Sequence, residues 1–65
     1  MYKIFVTNMN TMEVETFLYK NKNMALNRFA GICNELGYSY TPVNTFEIML
    51  AGGIGHAFRV ELIKE

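Results

Sequence analysis

The chain has 65 residues, and six Lys and Arg residues balance six Glu residues, so the formal net charge is zero. A neutral chain has no long-range attraction to a polyphosphate backbone, which argues against nucleic-acid binding. One Cys and one His cannot form an internal disulfide or a structural zinc site, so we expect neither a metal nor a cofactor. The sequence also lacks a membrane-spanning run and a signal-peptide layout. We therefore expect one compact domain over residues 1–65, located in the cytoplasm.

Alternating apolar residues predict two β-strands at the start of the chain, over residues 2–8 and 12–19. A loop of three or five residues around Asn10 would join them as a hairpin and place Val6 and Val14 on the same face. We expect Asn10 to take the left-handed conformation. The side chains predicted to point toward the core are Tyr2, Ile4, Val6, Met12, Val14, Thr16 and Leu18.

The following segment has the spacing of an amphipathic helix over residues 24–36. Asn23 is the predicted N-cap, and Gly37 stands where a helix commonly ends in the left-handed conformation. Cys33 falls on the apolar stripe, so we interpret it as a small core residue and not as a nucleophile. The stripe consists of Ala25, Leu26, Phe29, Ile32, Cys33 and Leu36.

After a loop at 37–44, two more strands are predicted over residues 45–51 and 56–64. Opposite charges favour a register in which Ala51 faces Gly55 and Glu47 lies opposite Arg59. The predicted inward residues are Phe46, Ile48, Leu50, Phe58, Val60 and Leu62. The predicted fold is α+β: a single ββαββ domain with a four-stranded, mainly antiparallel sheet and one helix packed on one face. The pattern leaves the strand order open.

The sheet face away from the helix is the first candidate site. It is predicted to combine large apolar side chains with more Glu than Lys and Arg. Because open sheet faces are ordinarily polar, such a patch indicates a binding surface, here for a protein partner with a basic surface. The alternative is that the aromatic side chains pair across strands and bind nothing. The predicted partner-binding residues, with the tip of the second hairpin included, are Phe5, Glu13, Glu15, Phe17, Tyr19, Met49, Gly53, Ile54, Arg59 and Ile63.

The glycine-rich tip at 52–55 is the second candidate site. One interpretation is a tight or bulged turn, which needs glycine for its positive φ values. The other is a small nest of backbone N–H groups that binds a nucleotide or another anion. The predicted ligand-binding residues in that case are Tyr38, Tyr40, Gly53, Gly55 and His56.

No set of titratable residues suggests a catalytic centre, so we do not expect an enzyme. The favoured hypothesis is a small interaction domain that inhibits or modulates a host macromolecule. We expect it to form a homodimer through the open sheet face or an edge strand. Its size suits an accessory protein of a phage or mobile element, which would act in the host cytoplasm. Its composition, which favours Asn, Lys, Ile, Phe, Tyr and Met over Gln, Asp and Trp, suits the same source. The alternative is a homo-oligomer that binds a small ligand at the glycine-rich tip.

Overall fold

The computed structural model describes residues 1–44, 48–53 and 55–65, with the backbone alone at 40–44 and 48. Five strands form one antiparallel sheet in the order β2-β1-β5-β4-β3. The predicted ββαββ arrangement, with one helix on a mainly antiparallel sheet, is confirmed. One strand, β3, is an addition, since it arises from the segment that was predicted as a loop. The elements are β1 (Tyr2–Asn8), β2 (Val14–Tyr19), α1 (Lys22–Leu36), β3 (Tyr40–Asn44), β4 (Ile48–Gly52) and β5 (Phe58–Lys64).

The core lies between α1 and one face of the sheet. Phe29 is its largest fully buried side chain, and Ile4 and Leu62 of the central strands are buried with it. Each such side chain contributes about 2 kcal/mol of transfer free energy when it leaves water. The buried apolar residues are Ile4, Ala25, Phe29, Cys33, Met49, Ala51, Val60 and Leu62. The predictions for β1, α1 and β5 agree with this core.

Helix α1 begins earlier than the sequence predicted. Its N-cap is Asn21, whose side-chain Oδ1 accepts the backbone N–H groups of Asn23 at 2.8 Å and Met24 at 3.2 Å. The predicted cap, Asn23, is therefore wrong, because its backbone is already helical and donates to the true cap. Gly37 ends the helix at φ 73°, as predicted.

The loop of the first hairpin has four residues, 9–12, between Asn8 and Glu13. The predicted length of three or five residues is therefore wrong. The N–H of Asn8 donates to the carbonyl of Glu13 at 2.8 Å, and the N–H of Met12 donates to the carbonyl of Asn8 at 2.6 Å. The side chain of Asn8 also accepts the N–H groups of Asn10 and Thr11. This network places the left-handed residue at Met12, with φ 64°, and not at Asn10.

Because the loop length is even, each side chain of β2 points to the face of the sheet opposite to the predicted one. Val6 lies opposite Glu15, and Val14 lies opposite Thr7. Because successive strand residues point to opposite faces, a shift of one residue exchanges the whole set. The side chains of β2 that pack against the core are therefore Phe17 and Tyr19. The residues predicted to point inward are exposed instead: Met12, Val14, Thr16 and Leu18.

The second hairpin also has a register different from the predicted one. Ala51 lies opposite Val60, and Gly52 lies opposite Arg59, so the pairing of Ala51 with Gly55 is wrong. The reason is a longer turn, since residues 53–57 all precede the first residue of β5.

In this register the side chains of β4 also point to the faces opposite to the predicted ones. Met49 and Ala51 are buried in the core, and Leu50 lies on the opposite face of the sheet. The prediction that Leu50 points toward the helix is therefore wrong. Phe46 and Glu47, which were predicted to belong to this strand, lie outside the described residues.

We expect the substitution Asn21→Ala to lower the free energy of unfolding by about 1 kcal/mol, because two N–H groups of the first helical turn lose their acceptor. Asn23→Ala is the matched control, since Asn23 contributes only its backbone N–H to the cap. Urea denaturation of both variants measures the difference. Equal losses in the two variants would contradict the assignment of the cap.

We expect Gly31→Ala to raise the free energy of unfolding by about 1 kcal/mol, because alanine is the better residue in a helix interior. A Cβ at position 31 meets no atom within 4 Å. Gly52→Ala is the opposite case, since its φ is 71° and a Cβ there would collide with the carbonyl oxygen of Phe58. Thermal denaturation should therefore show a higher melting temperature for the first variant and a lower one for the second.

Candidate functional site

The sheet face opposite α1 is not covered by any element in the described part of the chain. We call it the open face. Its residues alternate with the core residues along each strand, as the pairing register requires. The described side chains of the open face are Lys3, Phe5, Thr7, Val14, Thr16, Leu18, Leu50, Arg59, Glu61 and Ile63.

Apolar side chains occur on the open face of each of the four strands whose side chains are described there, β2, β1, β5 and β4. Val14 and Leu18 on β2 are 54% and 58% exposed. Phe5 on β1, Ile63 on β5 and Leu50 on β4 continue the apolar surface and are each partly exposed. An antiparallel sheet face that remains in water usually carries polar side chains at such positions. The open face therefore has the character of a surface that another apolar surface covers.

The charged groups of the open face are paired with one another or with the chain end. Lys3 Nζ lies 2.8 Å from Glu65 Oε1, and Arg59 Nε lies 3.4 Å from Glu61 Oε1. The described open face carries both signs of charge and is not acidic, so the predicted excess of Glu is wrong there. The predicted preference for a basic partner loses its electrostatic support.

Because the side chains of β2 and β4 point to the faces opposite to those predicted, only some of the predicted partner-binding residues lie on the open face. Phe5, Arg59 and Ile63 are on the open face, as predicted. The face prediction is wrong for four others, which are on the helix side: Glu15, Phe17, Tyr19 and Met49. Glu13 lies in the first hairpin loop and Gly53 in the second, whereas Ile54 lies outside the described residues.

Sequence reasoning missed three apolar members of the open face: Val14, Leu18 and Leu50. One signal was present at Asn8, because an Asn side chain that accepts N–H groups two and three residues further on favours a turn that begins at that Asn. An even loop would have placed Val14 and Leu18 in solvent.

A second feature lies beside the glycine-rich hairpin, where the ring of Tyr38 packs against Gly52 and His56. The rings of Tyr38 and His56 meet edge to face, with centroids 4.8 Å apart. The hydroxyl of Tyr38 accepts the N–H of Phe58 at 3.1 Å. Gly52 is needed here for space, because a Cβ would meet the Tyr38 ring at 2.8 Å.

An open cavity of about 520 Å³ adjoins this cluster. Its described lining contains no Lys, Arg, Asp or Glu side chain. The lining residues are Gly37, Tyr38, Ser39, Leu50, Ala51, Gly52 and His56.

Two members of the predicted ligand site, Tyr38 and His56, are thus brought together. The N–H of Gly53 donates to the carbonyl of Phe58 at 3.1 Å and is engaged within the hairpin. Gly55 has φ 85°, which a turn residue requires, and Tyr40 belongs to β3. The tip geometry therefore fits a glycine-dependent turn.

Cys33 is fully buried in the core, as predicted, and burial raises the pKa of its thiol. A neutral, inaccessible thiol is a poor nucleophile. Within the described ranges, no group of three or more His, Cys, Asp or Glu residues could hold a metal ion. The described part of the chain contains no helix with the length and apolar character needed to cross a membrane.

Comparison with known proteins adds no relative: no protein-family model, no curated protein and no solved structure matches this chain.

Proposed function

We propose that the protein is a non-enzymatic interaction domain whose open face binds an apolar surface of a protein partner. The observation that supports this proposal is the apolar surface that extends across an uncovered sheet face, from Val14 and Leu18 to Leu50. Interfaces of this kind bury an apolar centre inside a polar rim. Lys3 and Arg59, which already have partners within the chain, supply that rim without leaving a charge unpaired.

The proposal includes the role of the protein as an inhibitor or modulator of a macromolecule. A domain of this size offers a face and no enclosed catalytic pocket among its described residues, so it acts by occupying a surface of its partner. We further propose the accessory-protein role and the host cytoplasm as its setting. A reducing compartment suits the free thiol of Cys33.

The proposal predicts that Ile63→Glu abolishes capture of the partner. Ile63 lies opposite Lys3 on the open face, so a carboxylate there has a neighbouring cation and should leave the fold intact. Asn27→Glu adds the same charge to an exposed position on the helix, away from the open face. Circular dichroism first verifies that the unmodified chain and both variants are folded. Affinity capture from bacterial lysate then compares which proteins each of the three retains.

We expect one protein to be retained by the unmodified chain and by Asn27→Glu, but lost with Ile63→Glu. Titration of that purified protein should show an affinity reduced at least about tenfold for Ile63→Glu, as expected when an interface loses a buried isoleucine and must bury a charge. Equal capture by all three proteins would refute the proposed role of the open face. A partner whose activity is unaffected by saturating protein would refute inhibition or modulation.

A second candidate function is the binding of a small ligand in the cavity beside the glycine-rich hairpin. Its volume, about 520 Å³, is within the usual range for small-molecule sites. Stacking on Tyr38 and a hydrogen bond to His56 would suit a nucleoside or nucleotide. We expect nucleotides to raise the melting temperature of the protein if this function holds, and His56→Gln to reduce the shift. A panel without any shift would remove this candidate.

A further inference from the structure

Strand β2 forms one edge of the sheet, and its outer backbone groups have no partner strand among residues 1–44, 48–53 and 55–65. In an antiparallel pair, alternate residues exchange both backbone hydrogen bonds. The bond from the N–H of Asn8 to the carbonyl of Glu13 sets this alternation for β1 and β2. The N–H and C=O groups of Val14, Thr16 and Leu18 therefore point away from the sheet. They form a row of donors and acceptors that another strand can join.

This edge lacks the features that ordinarily prevent edge pairing. Natural edge strands are protected by proline, by bulges or by charged side chains. The opposite edge, β3, has both Pro42 and a register shift between Pro42 and Asn44. Strand β2 has neither, and Glu15 is its only charged residue. The two edges of one sheet thus differ, and β2 is the one open to pairing.

Exposed apolar side chains concentrate at the same edge. Apart from Met1, each large apolar residue described as exposed lies on β2, on its hairpin loop or on the first turns of α1: Met12, Val14, Leu18 and Met24. Met24 precedes Arg28 by one helical turn, so the two share a side of the helix. That side of the helix is the one next to β2, because the Arg28 guanidinium lies 5.0 Å from the ring centroid of Phe17 on β2.

We infer that the partner of this edge is a second copy of the chain, with the two β2 strands paired antiparallel about a twofold axis at Thr16. In this register Thr16 of one copy pairs with Thr16 of the other, and Val14 pairs with Leu18. All the outward N–H and C=O groups of these residues then find partners. Shifting the axis by one residue toward either end leaves part of the row unpaired. The exposed Val14 and Leu18 side chains become cross-strand apolar pairs.

Charge complementarity on the helix side supports the same register. Glu15 and Arg28 form no ion pair among the described residues of one chain. With the axis at Thr16, Glu15 of one copy lies directly opposite Phe17 of the other, with Cβ atoms about 5 Å apart. Arg28 covers that Phe17 ring. Each carboxylate therefore lies within reach of the guanidinium of the other copy, and twofold symmetry forms the pair twice.

This dimer does not rest on the proposed function, because it uses the edge of β2 and not the centre of the open face. The variant Ile63→Glu, which tests the open face, should leave the dimer intact. The two inferences can therefore fail separately.

Light scattering after size exclusion, across a dilution series, tests the dimer with Thr16→Pro. The Thr16 N–H points away from β1, so proline removes a hydrogen bond only from the dimer, and edge strands tolerate proline. We expect the unmodified chain to be a dimer and folded Thr16→Pro to be a monomer. A monomeric unmodified chain at high concentration would overturn the inference, as would a folded Thr16→Pro that dimerises equally well.

Charge reversal tests the register independently of proline. Glu15→Arg and Arg28→Glu should each raise the dissociation constant about tenfold, because attraction at two symmetric pairs becomes repulsion. The double variant, E15R with R28E, should recover most of the affinity, and added salt should reduce the differences among all four proteins. A double variant as weak as the single ones would exclude the Thr16-centred register.

Discussion

The packing of α1 against one face of the sheet is the contact on which the rest of the structure depends. Phe29, at the middle of the helix, is fully buried against the central strands, where Ile4 and Val60 are buried as well. A chain of 65 residues has one helix in its described part to cover a five-stranded sheet, so the second face stays open. The open face is a consequence of this single-helix architecture.

The two hairpins determine which side chains that architecture exposes. The length of the turn sets the pairing register of the strand that follows, and the register determines which face of the sheet each of its side chains occupies. The capping bonds of Asn8 set the register of β2, and the turn beginning at Gly53 sets the register between β4 and β5. Local hydrogen bonds in two loops thus control the composition of a surface several residues away.

The central elements could be predicted from sequence because their patterns have one solution. On β1 the polar residues Lys3 and Thr7 share the face opposite Ile4, and on β5 the charged residues Arg59 and Glu61 share the face opposite Leu62. The apolar stripe of α1 likewise occupies one side of the helix. Strand β2 was ambiguous, because Val14 and Leu18 alternate with Phe17 and Tyr19, and both sets are apolar. The same holds for β4. The site residues predicted correctly for the open face, Phe5, Arg59 and Ile63, accordingly belong to the central strands.

That ambiguity has a physical meaning of its own. A strand with large apolar residues on both faces is typical of a sheet that is covered on both sides. In β2 the core covers Phe17 and Tyr19, while Val14 and Leu18 remain in water.

Pairing of two β2 edges brings Val14 and Leu18 together but covers neither Phe5 nor its neighbours on β4 and β5. Because the twofold axis is perpendicular to the sheet, both open faces then lie on one side of the dimer. The edge and the face are therefore complementary surfaces: pairing at the edge doubles the apolar area that a protein partner would meet.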